Sequence, residues 1–166
     1  VENKKATGIE LDSGEKVYAD IVVSNADLHH TEEKLLGEEF RERSEKFWSK
    51  KKMAPSAFIM YLGVNKKFDS LAHHTLLFSK DWDLNFAQIF DKAKFPDDPS
   101  IYVCAPGKTD PSVAPEGKEN IFVLVPIASD LKYTEKEIGE WRNKVIKILE
   151  ENLSLEGLSQ NIEYEK

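Results

Sequence analysis

The residue types best suited to binding metals or moving protons form two adjacent histidine pairs, His29-His30 and His73-His74, and a single cysteine. Neighbouring side chains point apart on helices and strands, so neither pair alone makes a metal site, and we expect none in the chain. A reactive thiolate needs a cation or a helix N-terminus beside it. Cys104 stands instead in the apolar run IYVCAP, where we expect a small buried hydrophobe.

The usual catalytic motifs are absent from the sequence. It contains no G-x-S-x-G, H-E-x-x-H or C-x-x-C pattern, no P-loop and no G-x-G-x-x-G phosphate cradle. Catalytic residues therefore stay unassigned, and any chemistry must come from a cofactor held largely elsewhere. The formal net charge of -7 argues against a nucleic-acid partner, which would need a basic stripe.

The elements that would position these residues alternate between strands and helices. A hairpin is predicted from Lys5–Leu11 and Lys16–Ser24, its second arm ending in the buried run Ile21-Val22-Val23. Gly37 divides a following helical stretch into a short helix and a longer one. The next predicted elements are strand 55–64, strand 73–79 and helix 81–92, in which Phe86, Ile89 and Phe90 face inward. Strands 100–106 and 120–127 follow and are predicted to pair through a long loop. The last elements are helix 134–152, which begins with a Thr134–Glu137 capping box, and a terminal strand or loop.

The strands are apolar on both faces. In AFIMYLGV, alternate positions place Ile59 and Tyr61 on one face and Phe58, Met60 and Leu62 on the other. Strands of a sheet with one solvent-exposed face would alternate apolar and polar residues, so the pattern predicts that both faces of the sheet are buried. The cover of the second face is either more of this chain, an apolar ligand, or a partner domain with a ligand trapped between.

Three blocks of sequence resemble the flavin-dependent carotenoid desaturase and isomerase family, the phytoene desaturase group. They are GIELDSGEKVYADIVVSNAD at 8–27, PSAFIMYLGVNKKFDSLAHHTLLFS at 55–79, and DPSIYVCAPGKTDPSVAPEGKENIFVLVPI at 98–127. The second and third are the more specific, above all TDPSVAPEG followed by ENIFVLVP. The resemblance runs through most of the chain and weakens after about Trp141.

The resemblance implies an α+β fold, with a mixed, largely antiparallel sheet packed with helices, as in the substrate domain of a two-domain FAD oxidoreductase. Residues 1–27 would be a remnant of the FAD-binding domain, hairpin and strand included, and residues 28–166 the substrate-binding domain. The chain has no initiator methionine and no Gly-rich motif, so we interpret it as an excised internal section that is inactive alone. Polar contacts near the FAD are implied for Ser24, Asn25, Ala26 and Asp27, which could equally cap a helix over Leu28–Leu36.

The implied activity is desaturation or isomerisation of long carotenoid-like polyenes, with FAD in the full-length protein as the redox group. Such substrates need an apolar tunnel, whose wall would use Phe58, Met60 and Leu62 or the opposite set Ile59 and Tyr61. The missing FAD domain is the expected partner, and the location is cytoplasmic with possible peripheral membrane contact. Two alternatives stay open: an amine or porphyrinogen oxidase-like flavoenzyme, and a non-catalytic lipid- or protein-binding module.

Overall fold

The computed structural model describes residues 1–166 and divides them into two compact units, Val1–Lys52 and Met53–Lys166. The fold is α+β with antiparallel pairing throughout its sheets, as predicted. The boundary between the units lies later than the one predicted after Asp27. The assignment of residues 1–27 to a FAD domain and 28–166 to a substrate domain stays a prediction.

The N-terminal hairpin forms but is shorter than predicted. Strands β1 (Gly8–Glu10) and β2 (Lys16–Tyr18) pair antiparallel, and Gly14 supplies the positive φ of 83° that the turn between them requires. The predicted continuation into a buried strand is wrong, because Ile21 and Val23 are 79% and 83% exposed. A β-prone run becomes a strand only beside a partner strand, and none of Val1–Lys52 pairs with it.

The helical stretch of this unit is also broken more often than predicted. Buried Glu32 accepts hydrogen bonds from Nη1 of Arg43 at 2.6 Å and from Nε1 of Trp48 at 3.2 Å, which draws the segment after Gly37 back across the first helix. A continuous longer helix could not make both contacts, so short turns replace it. The observed elements are α1 (Leu28–His30), a π-helical turn (Thr31–Leu35), a 3-10 turn (Glu38–Phe40) and α2 (Glu45–Trp48).

A five-stranded antiparallel sheet forms the centre of Met53–Lys166, in the order β4-β5-β6-β3-β7. The predicted strands, the long-looped pairing of β5 with β6, the capped helix and the terminal strand are all confirmed. The elements are β3 (Ser56–Val64), β4 (His74–Leu77), α3 (Trp82–Phe90), β5 (Ile101–Cys104), β6 (Glu119–Ile127), α4 (Glu135–Asn152), α5 (Leu158–Asn161) and β7 (Ile162–Glu165).

One face of this sheet is a closed hydrophobic core beneath α4. The helix begins at the predicted capping box and contributes the fully buried Val145 and Leu149 to the core. At one end, Trp141 stacks on Phe95 with ring centroids 4.6 Å apart, and Phe58 meets both rings edge-on. The strands supply nine further core side chains: Met60, Leu62, Val64, Ile101, Val103, Ile121, Val123, Val125 and Ile127.

A buried ion pair fixes the loops beside this core. Glu119, at the start of β6, is almost fully buried and lies 3.0 Å from Nζ of Lys108. Its other oxygen accepts a hydrogen bond from the backbone N–H of Phe68 at 3.1 Å, and Lys108 donates to the Phe68 carbonyl at 2.7 Å. Each charged group is thus paired with the other and hydrogen-bonded to the Phe68 backbone, which offsets the cost of burying the ion pair.

Candidate functional site: the open face of the sheet

The opposite face of the five-stranded sheet is also apolar, and register identifies its members. Residues that pair across antiparallel strands share a face, so Ile59 lies beside Leu124 and Tyr61 beside Phe122. The neighbouring strands extend the same surface. We call this set the open face: Ala57, Ile59, Tyr61, Gly63, His74, Leu76, Tyr102, Cys104, Asn120, Phe122, Leu124, Pro126 and Tyr164.

The open face retains large exposed apolar side chains, unlike the face beneath α4. Tyr61, Leu76 and Tyr164 each expose more than half of their surface, whereas Phe122 and Leu124 are half-buried between neighbours. Aromatic contacts organise its centre, because the Phe122 ring lies 5.3 Å from Tyr61 and 6.1 Å from Tyr102. Contiguous exposed apolar surface of this kind marks a ligand-binding or partner-binding region.

A shallow pocket of about 210 Å³ opens on this face at Gly63. Its walls include the rings of Tyr61, Phe122 and Tyr164, with Pro106 at one side. Gly63 has no side chain to fill the space, and a Cβ there would come within 3.2 Å of the Tyr164 Cβ. The pocket therefore has the shape and chemistry to hold part of an apolar molecule, and offers little that could bind a charge.

The structure separates the two sets of predicted substrate residues. Met60 and Leu62 are core residues beneath α4, and Phe58 packs there against Phe95 and Trp141, so this set is corrected: its members cannot line an open surface. Ile59 and Tyr61 lie on the open face and stay candidates. Alternation within β6 could have suggested Phe122 and Leu124 as further substrate residues. Only the strand register showed that they lie on the same face as Ile59 and Tyr61 of β3.

A polar cluster stands at one side of the open face, where β4 pairs with β5. The rings of His73 and His74 lie side by side with centroids 4.2 Å apart, which corrects the expectation that adjacent histidines point apart. One ligand atom from each histidine and Sγ of Cys104 all lie within 4.8 Å of one another. Cys104 is half-buried and is not a core residue. Its thiol interacts with the Tyr102 hydroxyl, and this contact together with partial desolvation raises the pKa of the Tyr102 phenol.

The four residues implied for FAD contacts are exposed and partly engaged in local structure. Asp27 caps α1, accepting a hydrogen bond from the His30 N–H at 2.9 Å, which is the alternative role the sequence left open. The Ser24 hydroxyl is 2.8 Å from that of Thr31. Asn25 and Ala26 bring neither a phosphate cradle nor a cation. These residues do not by themselves fit a dinucleotide, whose phosphates need several backbone N–H groups or positive charges.

Helix α3 presents a second exposed apolar feature. Asp81 caps the helix as expected and Ile89 is buried, but the prediction that Phe86 faces inward is wrong. Phe78, Trp82, Phe86 and Phe90 instead form a ladder of rings, with successive centroids 5.3, 6.0 and 6.0 Å apart. The first three each expose about half of their surface, and we call this set the aromatic ladder. None of the helices has both the length and the apolar content needed to cross a bilayer.

No protein-family model matches the chain. Among curated proteins, it is 44% identical over 158 residues to the carotenoid 3,4-desaturase of Haloarcula japonica, covering 95% of this chain and 32% of that protein. It is 38% identical over 170 residues to the 4,4'-diaponeurosporene oxygenase of Staphylococcus haemolyticus, covering 96% of this chain. The corresponding Staphylococcus aureus oxygenase is 36% identical over 164 residues. The chain spans about a third of the length of each of these relatives.

Proposed function

We propose that this chain forms the polyene-binding part of a carotenoid-modifying redox enzyme. Along 95% of its length it is similar to a protein named for such chemistry. The open face would be one wall of the substrate site. The observation that carries the proposal is an apolar, aromatic sheet surface left exposed in a chain whose relatives are named for carotenoid chemistry.

The chemistry of the open face suits a long uncharged hydrocarbon. Its central strands β3, β5 and β6 contribute mainly aliphatic and aromatic side chains to this face, with the amide of Asn120 and the thiol of Cys104, and no carboxylate or ammonium group. A polyene has no group for a salt bridge, so its affinity must come from apolar area removed from water. The rings of Tyr61 and Phe122 offer flat surfaces on which a conjugated chain can lie.

The amine-oxidase alternative is less well supported by the same surface. A cationic amine would need a carboxylate or an aromatic cage to replace its hydration. The three central strands place aromatic rings but no carboxylate on the open face, since the acidic Glu119 of β6 points to the core. A non-catalytic lipid-binding module would use the same surface, and only a turnover assay separates it from the enzyme.

We further propose that FAD is the electron acceptor in the full-length protein, as the family resemblance implies. When bound, a flavin would supply the oxidation of an allylic carbon that no side chain of this chain can perform. Residues 24–27 do not by themselves supply a phosphate site, so other segments would have to contribute to holding the cofactor. The contribution of this chain would be to align the polyene and to exclude water from it.

The aromatic ladder supports the proposal of peripheral membrane contact. Carotenoid-like molecules reside in bilayers, and aromatic side chains favour the membrane–water interface. In this chain the contact would be made by an exposed apolar surface such as that of α3.

The test uses full-length protein expressed with FAD and supplied with a panel of carotenoid-like polyenes in lipid vesicles. Desaturation lengthens the conjugated system and moves its visible absorption to longer wavelength, so turnover can be followed directly. An unchanged chromophore and unchanged isomer composition across the panel would refute the enzymatic assignment.

A matched pair of variants locates the site. Tyr61→Glu places a carboxylate on the open face, whereas Tyr133→Glu places one on the loop before α4; the two tyrosines are similarly exposed, at 51% and 55%. Desolvating a carboxylate against hydrocarbon is costly, so Tyr61→Glu should lower kcat/KM by about 100-fold or more while Tyr133→Glu changes it little. Equal effects of both variants would rule out the open face as the substrate wall.

A further inference from the structure

The cluster formed by His73, His74 and Cys104 combines residue types that bind metal ions. His74 and Cys104 are directly opposite each other across the β4–β5 pair, so the sheet itself holds their side chains on one face. His73 precedes β4, and its carbonyl accepts a hydrogen bond from the Ala105 N–H at 2.9 Å, which ties this strand end to β5. The three potential donor atoms are thus positioned by regular backbone structure.

In each of the two imidazoles, Nδ1 forms a hydrogen bond with a neighbouring hydroxyl group. Nδ1 of His73 is 2.6 Å from the Thr109 hydroxyl, and Nδ1 of His74 is 2.8 Å from the Tyr102 hydroxyl. These hydrogen bonds leave Nε2 of each ring available. Metal-binding histidines in proteins characteristically engage their second nitrogen in this way, which fixes the orientation of the ring.

The geometry points to a mononuclear site for a thiophilic divalent ion of the Zn²⁺ class, bound by His73, His74 and Cys104 with a fourth position open to solvent. Two imidazoles and one thiolate are a donor set that Zn²⁺ favours. With Zn–N near 2.0–2.1 Å and Zn–S near 2.3 Å, tetrahedral ligand atoms lie about 3.3–3.7 Å apart. In the structure one nitrogen of each ring and Sγ of Cys104 lie within 4.8 Å of one another, so side-chain rotation at these partly exposed residues would have to bring the ligand atoms closer together.

The inference is independent of the proposed function, because it concerns the chain's own ligands and is read out without turnover. The purified 166-residue chain, reduced with a phosphine rather than a thiol, is titrated with Co²⁺ as a spectroscopic probe. Cys104 is the chain's only cysteine, so a thiolate-to-cobalt charge-transfer band can come from no other residue. We expect that band to saturate at one Co²⁺ per chain and to disappear when Zn²⁺ is added.

Variants separate this site from nonspecific binding. Cys104→Ser should abolish the charge-transfer band, and His74→Asn should weaken Co²⁺ binding by more than about 100-fold. Tyr102→Phe, which removes the hydroxyl from Nδ1 of His74, should weaken it by about 10- to 100-fold. His30→Asn is the matched control, because His30 belongs to the other adjacent histidine pair and should leave binding unchanged.

Several results would overturn the inference. They are the absence of a charge-transfer band at excess Co²⁺, binding that survives in both Cys104→Ser and His74→Asn, or an equal loss in His30→Asn. Far-ultraviolet circular dichroism and thermal melting establish that each variant is folded. His74 is exposed, so its variant decides the question even where Cys104→Ser unfolds the sheet.

Discussion

Leu62 and Ile59 offer a sharp test of which face of the sheet is closed, because their side chains are isomers on the same strand. Leu62 is 2% exposed and belongs to the core beneath α4, whereas Ile59 is 38% exposed on the open face. Truncation to alanine removes the same number of carbon atoms at both positions. Any difference in stability therefore reports the surroundings and not the chemistry of the substitution.

The expected magnitudes differ several-fold. Leu62→Ala leaves a cavity that the packed core cannot fully close, which should cost about 2–5 kcal/mol of unfolding free energy. Ile59→Ala leaves no enclosed void and loses only part of a transfer term, about 1 kcal/mol. In a domain of roughly 100 residues, at about 4 °C per kcal/mol, these losses correspond to Tm decreases of about 8–20 °C and about 4 °C.

The assay is urea unfolding of the chain followed by circular dichroism, with differential scanning calorimetry for Tm. The denaturant dependence m should stay constant, so that midpoint shifts report stability alone. Equal losses for the two variants, or a larger loss for Ile59→Ala, would show that the assignment of the two faces is wrong.

Three further predictions concern the loops, the long helix and α3. Lys108→Met should lower the unfolding free energy by about 3–5 kcal/mol in chemical denaturation, because Glu119 would stay buried without its cation; a loss below 1 kcal/mol would contradict this. Hydrogen bonds from Thr134 hold the pKa of Glu137 below its ordinary value, so this carboxylate stabilises α4 at neutral pH and ceases to do so as the pH falls through the lowered pKa. Glu137→Gln should accordingly flatten the acid limb of a Tm-against-pH curve, and an unchanged limb would count against the capping box. Trp82→Ser should reduce flotation of the chain with lipid vesicles several-fold; unchanged flotation would exclude the aromatic ladder as a membrane contact.

Local pattern was sufficient to predict most elements of Met53–Lys166. The Thr134–Glu137 box defined the start of α4, and the apolar runs defined β3, β5 and β6, because each signal acts within a few residues. The same reasoning failed for Ile21–Val23 and for the stretch after Gly37. There the outcome depended on a strand partner in one case and on the buried Glu32 network in the other.

The candidate site shows the same division between local and tertiary information. Apolar residues at both the odd and the even positions of β3 established by themselves that both faces of the sheet are apolar, since alternation is a property of the extended chain. Which face α4 covers was decided only by packing, and packing turned Met60 inward and left Tyr61 exposed. The meeting of His73, His74 and Cys104 likewise required the β4–β5 register, because sequence spacing carries no information about which residues lie opposite each other across two strands.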